Sequence, residues 1–271
     1  MISMSYTSGR DGEVVDLGTP KSFGDPSGLR GRAWSYELKH RSAANLRYAA
    51  KEASFSYIGM YPNADELRGI ADADIASEKP GTLEIDGWCQ TAYIVSHTPA
   101  AYQHGTLVSS LGTLLLDGFW WRERSRHFVT GLAEGGLDHD YDHDYDLSYS
   151  SGSGSVEVST RLGARPRITF YGPCTNPYVT IGANRYEVDS QVLSGSKLVL
   201  DATGSAPTAK LVDNQGNETS VFSKAVRTGG QGGGSYAFEP LPYGTLDVSW
   251  SGSFAFEVAW RELETEPPWS R

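Results

Sequence analysis

The fold of the C-terminal part of the chain is decided by the stretch Thr245-Leu-Asp-Val-Ser-Trp-Ser-Gly-Ser-Phe-Ala-Phe-Glu-Val-Ala-Trp260. Apolar side chains occupy every second position from Leu246 to Trp250 and again from Phe254 to Trp260, with the turn Ser251-Gly-Ser253 between them. A period of two requires one buried and one solvated face, as in an antiparallel sheet. The stretch therefore predicts a closing β-hairpin.

The residues before this hairpin indicate further short strands. Strands are predicted at Val179–Ile181, Arg185–Val188 and Leu198–Leu200, with turns at Gly182–Asn184 and Asn214–Asn217. No segment there has a convincing helical period. Residues 156–271 are therefore expected to form an antiparallel β-sandwich.

The N-terminal part combines strands with one helix. Asn63 has N-cap chemistry, and Glu66 follows at the capping-box spacing, so a helix is predicted over 64–77. Its apolar face consists of Leu67, Ile70, Ala71 and Ile75. Strands are predicted at Ala53–Gly59, Thr82–Ile85, Thr91–Val95 and Thr106–Leu116. Residues 1–135 are thus expected to form a mainly β domain, sandwich-like or barrel-like, with one helix.

A change of composition separates the two parts. From Gly131 to Ser155 the chain is rich in Asp, Tyr, His, Ser and Gly and has almost nothing aliphatic to bury. The sequence therefore predicts a linker over 136–155 between an N-terminal domain (1–135) and a C-terminal domain (156–271).

Charge and composition limit the possible partners. The chain has 271 residues and 39% hydrophobic content, and its formal net charge is -10. This balance argues against binding to nucleic acid or to an anionic membrane, because both need clustered Lys and Arg. The N-terminus lacks a basic start followed by an apolar run, and no apolar run is long enough to span a bilayer. We therefore expect a soluble protein made in a cytoplasm.

The two cysteines, Cys89 and Cys174, lie in different predicted domains. The sequence allows a disulfide between them, but without CxxC spacing two cysteines neither build a disulfide framework nor hold zinc. We interpret both as small buried hydrophobic residues.

Several motifs occur in an order and spacing that resemble one protein family. In the N-terminal part these are Gly31-Arg-Ala-Trp34, Glu52-Ala-Ser-Phe-Ser-Tyr57, Ala64-Asp-Glu-Leu-Arg-Gly-Ile70, Pro80-Gly-Thr-Leu-Glu-Ile85 and Asp117-Gly-Phe-Trp120. In the C-terminal part they are Phe170-Tyr-Gly-Pro173, Asn176-Pro-Tyr-Val-Thr-Ile181, Tyr186-Glu-Val188 and Glu266-Pro-Pro-Trp-Ser270, with the repeat Asp138–Tyr149 between. The chain resembles the distal tail protein of long-tailed bacteriophages, a siphophage tail-tip component also called a minor tail protein.

The resemblance implies a structural virion protein at the distal end of the tail. Members of that family form a ring, usually a homohexamer, between the tail tube with the tape-measure protein end and the tail hub and fibre proteins. The N-terminal domain would make the ring, and a galectin-like or carbohydrate-module-like sandwich would project outward for host attachment. Assembly would occur in the host bacterial cytoplasm. Gly229-Gly-Gln-Gly-Gly-Gly234 departs from the family by placing a flexible loop in the sandwich.

The sequence predicts neither an enzyme nor a cofactor. The histidines are His40, His97, His104, His127, His139 and His143, so the domain predicted over 156–271 has none and cannot hold a Ser-His-Asp or Cys-His site. The Gly-x-x-x-x-Gly-Lys, His-Glu-x-x-His and Gly-x-Ser-x-Gly motifs are missing. A pair of carboxylates that cleaves glycans stays open as an alternative, because the spacing of such a pair in sequence is free.

One segment offers metal-ligand chemistry. Asp138, His139, His143 and Asp144 supply oxygens for calcium and imidazoles for zinc or nickel. Read as a calcium loop from Asp138, however, the sixth position is His143 instead of glycine and the twelfth is Tyr149 instead of glutamate. We therefore interpret the segment as a charged extended arm and predict no metal site.

Exposed aromatic side chains are the candidates for glycan binding. Tyr171, Tyr178 and Tyr243 could stack on pyranose rings, whereas Trp250 shares the predicted buried face of its strand. Trp120 and Trp121 are neighbours on a predicted strand and must face opposite ways, one into the core and the other towards a subunit interface. Three functions remain: a tail-ring scaffold, a carbohydrate-binding module for host recognition, and a glycan-cleaving enzyme.

Overall fold

The computed structural model describes residues 3–31, 34–129, 153–204 and 206–266. The chain divides into two compact units, the first Met1–Arg122 with Glu264–Arg271 and the second Glu123–Leu263. The predicted linker over 136–155 lies outside the described residues except for Ser153–Ser155, which open a strand. The predicted domain limits and the role of the linker stay predictions.

The first unit is a β-domain with one helix. Its elements are β1 (Met4–Thr7), β2 (Val14–Asp16), β3 (Gly18–Thr19), β4 (Ser22–Asp25), a 3-10 turn (Pro26–Leu29), β5 (Ser35–Lys39), β6 (Ser42–Arg47), β7 (Lys51–Met60), α1 (Tyr61–Ala76), β8 (Gly81–Ile85), β9 (Trp88–Gln103), β10 (Thr106–Leu115) and the start of β11 (Trp120–Phe128). The strands other than β5 and β6 include an antiparallel series in the order β2-β1-β8-β9-β10-β7-β4-β3. The predicted strands of this part are confirmed.

The helix begins earlier than predicted. Met60 is the N-cap and Pro62 lies in the first turn, so Asn63 is not the cap. Proline is well tolerated there because its missing N–H has no intrahelical partner anyway. The helix buries Ala64, Leu67, Ile70 and Ala71 against the sheet, as predicted for the last three. Ile75, however, is exposed, and Asp74 is buried in its place.

Asp74 is buried because it binds the N-terminal segment. Its carboxylate accepts hydrogen bonds from the Tyr6 hydroxyl (2.8 Å), the Ser8 hydroxyl (2.7 Å), and the backbone N–H groups of Gly9 (3.3 Å) and Arg10 (3.1 Å). Burial, together with the hydrogen bond to Asp74, raises the pKa of the Tyr6 hydroxyl above its usual value. The carboxylate therefore holds β1 and the following loop onto the helix.

The second unit is an antiparallel sandwich. Its elements are the end of β11, β12 (Ser153–Val158), β13 (Ala164–Tyr171), β14 (Cys174–Thr175), β15 (Tyr178–Ile181), β16 (Asn184–Glu187), β17 (Gln191–Val192), β18 (Lys197–Asp201), β19 (Thr208–Val212), β20 (Glu218–Ser220), a 3-10 turn (Phe222–Lys224), β21 (Arg227–Thr228), β22 (Ser235–Tyr236), β23 (Gly244–Ser249) and β24 (Phe256–Glu264). One sheet has the order β12-β23-β15-β16, and strands β20-β19-β18-β13-β24 are neighbours in the other. The mainly β fold class is confirmed.

The stretch from Thr245 to Trp260 is not a hairpin. β23 pairs with β12 and β15, whereas β24 pairs with β13 in the other sheet. The connection passes from one sheet to the other, and the Trp250 indole N–H donates to the Phe254 carbonyl (3.1 Å) within it. Both strands still bury the predicted apolar face, because alternation specifies which side is buried and not which strand is the neighbour.

The sandwich core is aromatic. Phe128 and Phe256 stack at a centroid distance of 4.7 Å, and Trp250 packs edge-on against Phe256 at 5.0 Å. The prediction that Trp250 is a core residue is confirmed, since it is 7% exposed. The glycine-rich stretch Gly229–Gly234 joins β21 to β22, and four of its glycines have positive φ angles.

Neither cysteine is fully buried. Cys89 and Cys174 are both partly exposed, and neither forms a disulfide. Burial is sufficient to raise the pKa of the Cys174 thiol. The prediction of two buried hydrophobic residues is therefore only partly right. Cys89 faces away from the apolar side of β9, on which Trp88 and Gln90 are buried.

Candidate functional site

A two-stranded hairpin in the first unit is exposed along almost its whole length. We call residues 35–47, which contain β5 and β6, the hairpin arm. Among the described residues, each of its strands packs extensively only against the other. Leu38 is 78% exposed, Leu46 62% and Tyr36 57%. Because an isolated hairpin is only marginally stable in water, the arm needs a surface on which to bury its apolar side.

The two sides of the arm differ in chemistry. Tyr36 and Leu38 point to one side of β5, and Ala43 lies opposite Leu38 on β6. The arm and its turn also carry the cations Lys39, Arg41 and Arg47 against a single carboxylate, Glu37. The arm is thus apolar on one side and cationic overall, although the whole chain has a net charge of -10.

An aromatic cluster fixes the base of the arm. Trp34 precedes β5 and Tyr48 follows β6, and their rings lie 5.5 Å apart. Phe119 stacks on Tyr48 at 5.2 Å and meets the edge of Trp34 at 5.8 Å. The Tyr48 hydroxyl donates to the carbonyls of Gly31 (3.1 Å) and Thr265 (3.0 Å). The cluster therefore fixes the position at which both ends of the arm join the rest of the first unit.

A second exposed surface lies on the side of the sheet that faces away from α1. We call the outward side of β4, β7, β10 and the second half of β9 the outer face. Ile58 pairs with Phe23 on one neighbouring strand and with Val108 on the other, and all three are at least 36% exposed. Ala101 continues this row on β9, and Met60 lies two residues beyond Ile58. These side chains form a contiguous apolar row on an exposed sheet.

The remainder of the outer face is flat and nearly uncharged. Ser56 pairs with Ser110 and Ser110 pairs with Thr98, and in the next row outward-facing Ser54 pairs with Gly112. Of the outward positions on these four strands, only two carry charges, and both are carboxylates: Asp25 and Glu52. A contiguous exposed apolar row with few charges around it is typical of a surface that another protein covers.

His97 lies on the helix side of the same sheet. Its Nε2 contacts the Ser109 hydroxyl at 2.8 Å, and its ring meets that of Tyr57 edge-on at 6.3 Å. Burial lowers the pKa of the imidazole, and the charge of Arg68 lowers it further. With Leu67, Ala71, Ile94 and Leu111 among its neighbours, His97 lines a cavity of about 210 Å³ beside α1. This histidine is a packed polar residue of the helix–sheet boundary.

The candidate glycan-binding tyrosines do not share one surface. Tyr171 points outward from β13 and Tyr178 outward from β15, which belong to the two facing sheets. The Arg185 guanidinium covers the Tyr178 ring at 3.7 Å, so that ring face is already occupied. Tyr243 lies outside these strands, with the Arg161 guanidinium 6.0 Å from its ring. The structure does not bring the three together.

Tyr171 belongs to a polar trio that the sequence reasoning missed. Its hydroxyl donates to Glu257 (3.2 Å), and the other oxygen of Glu257 lies 3.6 Å from His127 Nε2. Burial raises the pKa of the Tyr171 hydroxyl, and the neighbouring Glu257 carboxylate raises it further. His127 falls in the second unit, so the exclusion of a histidine site made for residues 156–271 does not extend to this whole unit.

The metal candidates Asp138, His139, His143 and Asp144 lie outside the described residues. Within the ranges that the structure describes, no group of three or more His, Cys, Asp or Glu side chains is placed to hold a metal ion. No helix in those ranges is long and apolar enough to span a membrane.

Trp120 is buried and Trp121 partly exposed, as their alternation predicts, and the Trp121 indole donates to Asp117 (2.7 Å).

Solved structures share the fold of the whole chain. The Dit protein of phage SPP1, described as a paradigm of the hub adsorption apparatus in phages that infect Gram-positive bacteria, matches with a TM-score of 0.56 and 10% identity, over 97% of this chain and 99% of that one. A chain of the phage P2 baseplate, in its activated conformation with Ca, matches with a TM-score of 0.54 and 12% identity, over 98% and 100%. No family model matches the chain. No curated protein matches it either. The fold of a phage distal tail protein, expected from the motifs, is confirmed.

Proposed function

We propose that this chain is a structural component of a phage tail, located in the virion at the distal end of the tail tube. The observation that carries the proposal is the match of fold over almost the full length of both chains, with a phage hub protein and with a phage baseplate chain. A match that covers both units at once is more informative than a shared sandwich, because β-sandwiches host many unrelated functions.

The proposed assembly is a closed homohexameric ring made by the first unit. The exposed hairpin arm and the outer face support this assignment, since both leave apolar area unburied in a single copy. The ring would join the tail tube and the tape-measure protein end to the tail hub and fibre proteins. The second unit, with its own sandwich core, would contact these other tail proteins during host attachment.

The proposed role is not enzymatic. It needs contact surfaces instead of a reacting group, and the first unit offers two such surfaces in the arm and the outer face.

A carbohydrate-binding function of the second unit is the alternative, and one observation favours it. Tyr171, Glu257 and His127 form a partly exposed group of hydrogen-bonding side chains on the outer side of one sheet. Loss of retention on host cell-wall glycans in Tyr171→Ala, with ring formation intact, would support that alternative.

The proposal is tested by the mass of the full chain in solution. Sedimentation over a dilution series is expected to show a single closed species of several copies, because a closed ring leaves no free interface for further growth. Retention of that species at low concentration would support a ring. A monomer at tens of micromolar, also in the presence of tail tube and hub proteins, would contradict the proposal.

A further inference from the structure

We infer that the hairpin arm of one copy lies on the outer face of a second copy of this chain. The inference rests on the proposed ring function and specifies which two surfaces meet. Its starting point is that each surface is incomplete alone. In the part of the chain that the structure describes, no sheet covers Tyr36 and Leu38 of the arm, and no element covers Phe23, Ile58 and Val108 of the outer face.

The two surfaces match in size. A five-residue strand such as β5 extends over about 17 Å at about 3.3 Å per residue. The apolar row Phe23, Ile58, Val108 and Ala101 crosses four strands, which is about 14 Å at about 4.8 Å per strand spacing. The apolar side of the arm can therefore cover the row when β5 lies across the strands of the outer face.

The two surfaces also match in charge. Lys39, Arg41 and Arg47 make the arm cationic in an otherwise acidic chain, whereas the only charges on the outer face are the carboxylates of Asp25 and Glu52. Two arms would repel each other, and so would two outer faces. Lys39 and Arg47 lie with Ser42 on the side of the arm that faces away from the row, so the opposite net charges of the two segments favour this pairing over the symmetric ones by long-range attraction and not through ion pairs at the contact.

The base of the arm provides the required rigidity. Because Trp34, Tyr48 and Phe119 pack together where the arm begins and ends, little orientational freedom is lost when the arm binds. The same chain carries both surfaces, so the contact is heterologous: each copy gives an arm to one neighbour and receives an arm from the other. Repetition of such a contact generates a ring when the rotation closes.

Two variants separate the surfaces. Leu38→Asp places a charge on the apolar side of the arm, and Ile58→Asp places one in the middle of the outer face. Both side chains are exposed in the single copy, so both variants are expected to keep the wild-type thermal transition of the monomer. Each variant alone is expected to sediment as a monomer under conditions in which the wild type assembles.

Mixing the two variants gives the sharpest test. The Ile58→Asp chain keeps an intact arm and the Leu38→Asp chain keeps an intact outer face, so a 1:1 mixture is expected to form a dimer and nothing larger. Ser42→Asp, an exposed position on the other side of the arm, and Leu193→Asp, an exposed position in the second unit, are the matched controls and are expected to assemble as the wild type does.

The outcomes distinguish this inference from the proposed function. A wild type that stays monomeric at tens of micromolar, also in the presence of tail tube and hub proteins, would overturn both. A wild type that forms rings, together with a Leu38→Asp or Ile58→Asp variant that also forms them, would overturn only the arm contact. The same holds if either variant alone dimerises, which would indicate a symmetric interface, or if the mixture stays monomeric.

Discussion

Replacing Asp74 with alanine is expected to destabilise the first unit strongly. The carboxylate is fully buried and accepts four hydrogen bonds from Tyr6, Ser8, Gly9 and Arg10. Alanine leaves the two hydroxyl donors without their acceptor, and Tyr6 and Ser8 are themselves buried. At roughly 1–3 kcal/mol for each of the two buried unsatisfied donors, less a gain of about 0.5 kcal/mol from the better helix propensity of alanine, the loss of stability is about 1.5–5.5 kcal/mol.

Asp74→Asn removes the negative charge of the side chain but keeps its shape. The amide keeps one oxygen that accepts hydrogen bonds, but its NH2 group faces donors that it cannot bind. An intermediate loss of stability of about 2 kcal/mol is therefore expected. Asp72→Ala is the matched control: it removes an exposed carboxylate from the same helix and is expected to change the stability by less than about 0.5 kcal/mol.

The assay combines urea denaturation with hydrogen exchange. Urea denaturation gives the change in the free energy of unfolding. Hydrogen exchange of the backbone amides in Met4–Asp16 reports opening of the segment that the Asp74 carboxylate holds. Protection there is expected to fall in Asp74→Ala and to stay unchanged in Asp72→Ala. An Asp74→Ala variant within about 1 kcal/mol of the wild type, with this segment still protected, would show that the carboxylate does not hold the N-terminal segment in place.

Three further predictions concern other parts of the chain. Ile70→Asp is expected to unfold the first unit, since it buries an unpaired charge between α1 and the sheet, and retention of the wild-type thermal transition would contradict that packing. Trp250→Ala is expected to cost about 3–5 kcal/mol in the second unit, measured by urea denaturation, because it empties the centre of the aromatic core. The folded-state pKa of His97 is lowered, so the folded state favours the neutral imidazole. Its contribution to stability is full above the unfolded pKa of about 6.5 and is lost as the pH falls below that value and through the lower folded-state pKa. Stability measured between pH 7.5 and pH 5 should therefore fall less in His97→Gln than in the wild type, and equal slopes would count against this assignment.

The sequence predicted the buried faces of strands better than their partners. Alternation from Leu246 to Trp260 correctly identified the core side chains, but strand partners depend on how the chain crosses the core. The helix was predicted from its apolar period, yet its buried position at 74 is an aspartate, because four donors from a distant segment satisfy that carboxylate. Hydrogen bonds between residues far apart in the chain produce no pattern in the sequence around Asp74.

The candidate assembly surfaces were the least predictable feature. Strands β1 to β4 were missed, because short strands with mixed polarity carry little periodic signal, although Met4 and Tyr6 do alternate. The arm contains the exposed apolar residues Tyr36 and Leu38, which composition alone does not separate from core residues. An apolar residue that is exposed in one copy and covered in an assembly looks the same in sequence as one in a core.

Electron microscopy of the purified full chain tests the central proposal most directly. Averaged end-on views are expected to show rings of one diameter with a central channel and sixfold rotational symmetry, because a heterologous contact that closes produces a single ring size. Fields of separate particles with the size of one chain, or open filaments of variable length at the same concentration, would contradict the proposal of a closed tail ring.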